Sequence, residues 1–376
     1  MQYVSDFDYD LPKHFIAQQP IEPRDHSKLL VLDGTDIHHR LFFELTDYFE
    51  EGNVVVLNDT RVLPARLPCR KSTGGRVELL VMNLAENQLE NKPTGKDPGK
   101  NGGCDIAEHF TTECLVKGKI REGIKLKVEN LPLKARVEEH IEEGRYFVTF
   151  TPDSKSPKVS SGESFKNEFI KLMEQAGELP LPPYIKNPEV DTSRYQTIFS
   201  AKPGSIAAPT AGLHFTKELI SKMERKGVKF CYITLHISYG TFKPVRVEQV
   251  NDHKMDIEYY QVSEETAEVL NEARKDRDLT AVGTTSVRTL EAVYRNTDTI
   301  SACEGTTDIF IYPGFEFKSG IDRLITNFHF PRSTLLMLVS AFAGQERLMK
   351  AYEAAKDHRY RFYSFGDAML IQQPGL

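Results

Sequence analysis

The run Val54-Val55-Val56-Leu57 is apolar on both faces of a strand, so it needs one packed layer above it and another below. A strand of that kind belongs in the middle of an α/β sheet. Leu29 to Leu32 reads as a strand of the same sheet. After a turn at Asp33-Gly34, Leu41, Phe42, Leu45, Tyr48 and Phe49 recur at helical spacing up to Gly52, which predicts a helix.

From about residue 67 the pattern changes. Short strand-type runs at 77–81, 114–116, 124–128 and 146–150 follow one another without a helix, which predicts an all-β domain over 67–157. Inside it, residues 85–105 are rich in Asn, Lys, Pro and Gly and read as a surface loop. Helices then alternate with strands. The spacing predicts helices at 165–176, after Thr216, after Ser263, over 333–343 and over 345–357, with strands at 228–235, 279–282, 307–311, 322–328 and 360–365. The expected fold class is α/β: a body of residues 1–66 and 158–376, with a mixed, barrel-like sheet and helices, interrupted by an inserted all-β barrel domain at 67–157. A length of 376 residues accommodates two such domains.

Composition narrows the class. With 40% hydrophobic and 27% charged residues the chain is ordinary soluble-globular material. The acidic start Met1-Gln2-Tyr3-Val4-Ser5-Asp6 is unlike a secretion signal, and no run of about 18 apolar residues could span a bilayer, so the cytoplasm is the expected address and no membrane partner is expected. The five cysteines form no CxxC pair, which removes zinc knuckles and dithiol redox chemistry. A net charge of −6 argues against a non-specific nucleic-acid coat and leaves room for a local basic patch. No two glycines are separated by one residue, so a GxGxxG nucleotide loop cannot occur, and phosphate-loop, HExxH and GxSxG motifs are also missing.

What carries chemistry is a repeated arrangement of strands that end in polar clusters. Val54–Leu57 runs into Asn58-Asp59-Thr60-Arg61. The strand before His236 ends in Thr234-Leu235-His236-Ile237-Ser238-Tyr239-Gly240-Thr241. Val282 is followed by Gly283-Thr284-Thr285-Ser286-Val287-Arg288, and a fourth cluster is Thr326-Asn327-Phe328-His329-Phe330-Pro331-Arg332-Ser333. A loop of small residues, Gly204 to Thr216, includes Thr210, Gly212 and His214 and lets a ligand approach the backbone. Each cluster taken alone also suits helix capping, by Thr216, Thr285 or Ser286, or a packed histidine. If the strands are parallel, these ends gather on one edge, as ligand crevices in α/β sheets do.

These stretches, together with Phe7-Asp8-Tyr9-Asp10-Leu11-Pro12, Pro23-Arg24-Asp25, Asn58 to Leu67 and Gly366-Asp367-Ala368-Met369-Leu370, closely resemble the S-adenosylmethionine:tRNA ribosyltransferase-isomerase family of queuosine biosynthesis, nearly end to end. The resemblance implies an α/β body with an inserted β-barrel. It also implies transfer and isomerisation of the ribosyl part of S-adenosylmethionine onto 7-aminomethyl-7-deazaguanine at the tRNA wobble position, giving epoxyqueuosine with release of adenine and methionine. S-adenosylmethionine is then a co-substrate, tRNA the partner, and no metal or prosthetic group is expected. Two positions depart from the family's usual pattern, Ser238 where glycine is common and Asp256 where a histidine is common, and the 85–105 loop looks longer than usual and dispensable.

That chemistry needs a base for a ribose 5′ hydrogen acidified by the sulfonium and an acid for departing adenine. The expected proton-transfer residues are among Asp59, His214, His236 and His329. Substrate contacts are expected from Asn58, Thr60, Thr210, Gly212, Thr241, Thr284, Thr285, Ser286, Arg288, Asn327 and Ser333, with Arg288 and the 284–286 amides on the methionine carboxylate. Arg24, Arg61 and Arg66 are expected on tRNA phosphates, whereas Arg70, Lys71 and Arg76 read as solvated charge. An RNA-binding scaffold and an ordinary methyltransferase are the other classes to tell apart.

Overall fold

A computed structural model of the chain describes residues 2–82, 84, 109–142, 144–153, 165–187, 189–238, 240, 245–276, 278–295 and 297–373. Its strands, in chain order, are β1 (Lys28–Asp33), β2 (Asp36–Leu41), β3 (Val54–Asn58), β4 (Thr60–Val62), β5 (Arg66–Lys71), β6 (Arg76–Val81), β7 (Phe110–Lys117), β8 (Lys125–Val128), β9 (Leu133–Glu142), β10 (Arg145–Pro152), β11 (Lys202–Ser205), β12 (Lys229–Leu235), β13 (Glu258–Val262), β14 (Leu279–Val282), β15 (Cys303–Thr307), β16 (Arg323–Asn327) and β17 (Ala368–Gln372). The helices are α1 (Phe165–Ala176), α2 (Lys217–Arg225), α3 (Glu264–Asp276), α4 (Thr284–Tyr294), α5 (Thr334–Ala343) and α6 (Gln345–Asp357). Two compact units result: Met1–Arg61 with Leu181–Pro203 and Ala207–Leu376, and Val62–Pro180 with Gly204–Ile206.

The first unit is built on a nine-stranded mixed sheet of order β15-β13-β12-β3-β14-β16-β17-β1-β2, with β15 and β2 as its edges. β3 is central. It pairs in parallel with β12 on one side and β14 on the other, and β14 pairs in parallel with β16. The double-sided apolar run explains this placement. Val54 and Val56 pack into a core with side chains of α3 to α6, while Val55 and Leu57 pack on the opposite face with Phe42, Leu45, Phe49 and, from α2, Leu219 and Met223. Consecutive residues thus feed two layers, as strand alternation requires.

Three local expectations need correction. The segment after β1 is a second strand, β2, paired antiparallel with β1, and the helix expected over 41–49 is a 3-10 helix at Phe42–Tyr48. Phe42, Leu45 and Tyr48 recur every third residue, the period of a 3-10 turn. The strand expected at 307–311 is β15, ending at Thr307, with Ile309 and Ile311 buried in the segment beyond it. The closing strand is β17 rather than 360–365; Arg359 and Tyr363 have φ of +54° and +72°, which no extended strand accommodates.

In the second unit β10-β7-β6-β5-β8-β9 close into a barrel with every neighbouring pair antiparallel. Its residues include Leu67, Cys69, Val77, Leu79, Cys114, Val128, Val137 and Phe150, all buried. Phe169 of α1 lies against Phe110 and Phe150, with ring centroids 5.3 and 4.5 Å away. Residues 85–105 lie outside the described residues.

Candidate active site

Because β12, β3, β14 and β16 run in one direction, the segments that follow them leave the same edge of the sheet. There the first unit has a pocket with about 600 Å³ of space free of protein atoms, open solvent included. It is lined by Ala207–Ala211, by Ile237 beyond β12, by Gly283, Thr284 and Thr285 at the start of α4, by Thr326–Phe330 beyond β16, and by Tyr184, Leu335, Tyr363 and Ser364. Of the expected site residues, Thr210, Thr284, Thr285, Asn327 and His329 line it.

α4 starts without a side-chain cap, because its N-cap is Gly283 at φ +83°. The Ser286 amide donates to the Gly283 carbonyl at 3.2 Å, so the uncapped start offers a ligand the amides of Thr284 and Thr285. Beside them the Thr285 hydroxyl is buried and has no hydrogen-bond partner among the described residues. Ser286, in contrast, is satisfied: its hydroxyl donates to the Val282 carbonyl at 2.8 Å. Arg288 needs correction. It is buried and ion-paired with buried Glu258, and its Nε donates to the Ile309 carbonyl at 3.3 Å, so its charge is already neutralised away from the pocket lining.

Asn327 joins two layers of the site. Its Oδ1 accepts from Thr210 Oγ1 at 3.1 Å, and its Nδ2 lies 3.1 Å from His214 Nε2. His214 is fully buried beneath the pocket rather than in its lining, between Ser27 Oγ at 2.7 Å from Nδ1 and Arg24 Nη2 at 3.1 Å from Nε2, and stacked on Phe42 at 4.8 Å. Burial, reinforced by Arg24 and Arg361, holds its pKa well below the ordinary value. The two donors at Nε2 and the hydroxyl at Nδ1 fit a neutral ring protonated on Nδ1. His329 does line the pocket. Its Nε2 lies 2.8 Å from Thr326 Oγ1, and burial pushes its pKa down to about 3.

A second polar group stands at the ends of β3 and β12. Thr234 Oγ1 donates to Asp59 Oδ1 at 2.6 Å, and burial raises the Asp59 carboxyl against that bond and the pull of Lys202. Thr60 Oγ1 and His236 Nδ1 are 2.8 Å apart. Asn58 is a clamp: its Oδ1 accepts from the amides of Thr60 and Leu235, both at 3.1 Å, and its Nδ2 donates to the Leu235 carbonyl.

Other expected contacts are structural. Ser333 caps α5, accepting from the Leu336 amide at 3.2 Å, and Thr216 caps α2 in the same way. Gly212 permits close packing, since a Cβ there would come within 2.8 Å of the Phe199 ring. Thr241 lies outside the described residues. Arg24, expected on tRNA, is 4% exposed and donates to the Gly366 carbonyl at 2.8 Å; burial pushes its pKa down to about 9. Arg61 is half-buried at β4, and Arg66 of the barrel faces Glu78 at 3.6 Å.

Sequence reasoning missed Glu258 and Ser27, whose burial no local pattern announces, and the aromatic wall of Tyr184, Phe330 and Tyr363, with Phe330 stacked on Tyr363 at 3.7 Å. The two positions that depart from the family pattern touch: Ser238 Oγ donates to Asp256 Oδ2 at 3.2 Å. Among the described residues no group of three or more His, Cys, Asp or Glu could hold a metal ion, and no helix is long and apolar enough to cross a membrane.

Comparison with known proteins agrees along the whole chain. The sequence profile of the queuosine biosynthesis protein family matches residues 4–371. Proteins named S-adenosylmethionine:tRNA ribosyltransferase-isomerase from Thermotoga petrophila and Aquifex aeolicus are 46% and 45% identical to it, over 98% of this chain and 99% of each relative. The crystal structure of S-adenosylmethionine tRNA ribosyltransferase from Thermotoga maritima is similar with a TM-score of 0.52 and 36% identity, covering 98% of this chain and 100% of that one. With profile, relatives and solved structure all matching from end to end, the chain belongs to the queuosine biosynthesis protein family.

Proposed function

We propose that the protein is an S-adenosylmethionine:tRNA ribosyltransferase-isomerase that moves and rearranges the ribosyl group of S-adenosylmethionine onto 7-aminomethyl-7-deazaguanine in the tRNA anticodon, releasing adenine and methionine. The observation that carries this is the 45–46% identity, across 98% of the chain, with relatives named for the activity. The wobble base of an anticodon loop is already unpaired, so presenting it to a pocket costs little compared with extruding a base from a duplex. The reaction's place is the cytoplasm, with no prosthetic group.

In this reading the pocket takes the sulfonium donor. The uncapped start of α4, with the Thr285 hydroxyl, binds the methionine carboxylate in place of Arg288. His329 presents an uncharged imidazole, which adds no positive charge beside a sulfonium. Asp59 stands at the end of β3, the strand between β12 and β14, and its raised pKa suits a carboxylate that accepts and returns a proton. His214 acts through Asn327, holding that amide in one orientation; it is a positioning residue. His236 with Thr60 completes the proton-transfer candidates. Arg61 and Arg66 remain the cations proposed to contact tRNA phosphates.

Chromatography of the small products tests the reading. Free adenine and methionine are expected when both substrates are present. S-adenosylhomocysteine would identify a methyltransferase, and release of neither set would leave a binding protein.

A further inference from the structure

Glu258 is one carboxylate serving two walls of the pocket. It is 2% exposed at the start of β13. One oxygen, Oε1, accepts from the backbone amide of Ser238 at 2.8 Å, and Ser238 directly follows the pocket-lining Ile237. The other, Oε2, accepts from Arg288 Nη1, one helical turn beyond the pocket-lining Thr284 of α4. Arg288 is anchored again at the Ile309 carbonyl, and Ser238 again at Asp256. The Coulomb attraction of a buried pair and a charge-assisted bond to an amide both act at this single side chain.

We propose that Glu258 is a positioning residue for the ribosyl-transfer reaction: it fixes the start of α4 relative to the His236–Ser238 segment, so that the carboxylate-binding end of the pocket and the proton-transfer candidate His236, just beyond β12, stay in register. The inference rests on the function proposed above. A bare stabilising pair would need only Arg288, and a bare loop anchor only Ser238. Binding both with separate oxygens makes the spacing between the two walls depend on the length of one side chain.

The test uses two variants of the full chain. Glu258→Asp keeps the charge but is one methylene short of spanning both partners. Glu258→Gln keeps the length and can serve only one of them as an acceptor. Both are measured where circular dichroism shows them fully folded. The expected result for each is a KM for S-adenosylmethionine raised about tenfold and a kcat lowered several-fold, with the KM for tRNA unchanged within about twofold. A folded variant with wild-type KM and kcat would overturn the proposal. So would tRNA and S-adenosylmethionine KM values rising in step, or failure of both variants to fold, each of which would make Glu258 a general structural brace. If the wild-type protein releases no adenine, the proposed function fails instead.

Discussion

Asn327 Nδ2 lies 3.1 Å from His214 Nε2, so a residue of the pocket lining is held by an imidazole buried beneath it. The oxygen of the same amide group accepts from Thr210 Oγ1 at 3.1 Å. Two separate stretches of chain, the 3-10 helix Thr210–His214 and the end of β16, therefore meet at one side chain. Asn327→Ala takes from the Thr210 hydroxyl its acceptor and from His214 Nε2 one of its two donors, Arg24 being the other, and should cost about 1–3 kcal/mol of stability. Adenine release should fall about tenfold or more with it. Thermal unfolding and steady-state turnover on the same preparation check both.

Thr285 should show the opposite balance. Its hydroxyl is buried without a partner, so Thr285→Val removes an unsatisfied group, and stability should change by less than about 1 kcal/mol or rise. The KM for S-adenosylmethionine should nonetheless increase about fivefold, because the hydroxyl's proposed partner is the ligand. Equal stability with an unchanged KM would remove Thr285 from the carboxylate site.

Burial lowers both His214 and His329 in the folded chain, the latter to about 3. Unfolding restores each to the ordinary value near 6.5, so below that pH the unfolded chain binds protons that the folded chain refuses. Stability is then full above about pH 6.5 and declines as pH falls towards 3, by up to about 1.4 kcal/mol per pH unit for each histidine. Urea unfolding at pH 7 and pH 5 should show the loss, and His329→Gln should make it shallower.

The Asp59 carboxyl is raised, chiefly by burial. If it is the base, activity should fall on the acid side with an apparent pKa above the ordinary carboxylate value. Asp59→Asn should lower kcat by about a hundredfold and abolish that limb while leaving the KM for S-adenosylmethionine nearly unchanged. A wild-type pH profile in the variant would take Asp59 out of the proton transfers.

Much of the architecture was legible in the chain itself. The two-faced run at 54–57 announced a central strand, and the polar residues ending four parallel strands announced the shared edge. Roles were harder to read, because local sequence does not report burial or pairing across the fold. Arg24 and Arg288 look like free cations in sequence and are buried, one against a histidine and a carbonyl, the other against Glu258, a partner 30 residues away. His214 resembles a catalytic residue for the same reason. The 42–48 segment misled differently, since a three-residue repeat and a 3.6-residue repeat coincide over two turns.

Arg24 and the other two arginines should separate by salt. Arg61→Ala and Arg66→Ala should each weaken tRNA binding and reduce the slope of log affinity against log salt by about 0.7–0.9. Arg24→Ala should lower the melting temperature and leave the slope unchanged. A slope unaffected by all three would place the tRNA phosphates elsewhere.

The most direct measurement follows carbon. With S-adenosylmethionine labelled in its ribose and tRNA carrying 7-aminomethyl-7-deazaguanine, mass spectrometry of the digested tRNA should find all of the ribose label in the modified wobble nucleoside. A labelled ribose recovered only in S-adenosylhomocysteine, or no label in the tRNA, would contradict the account.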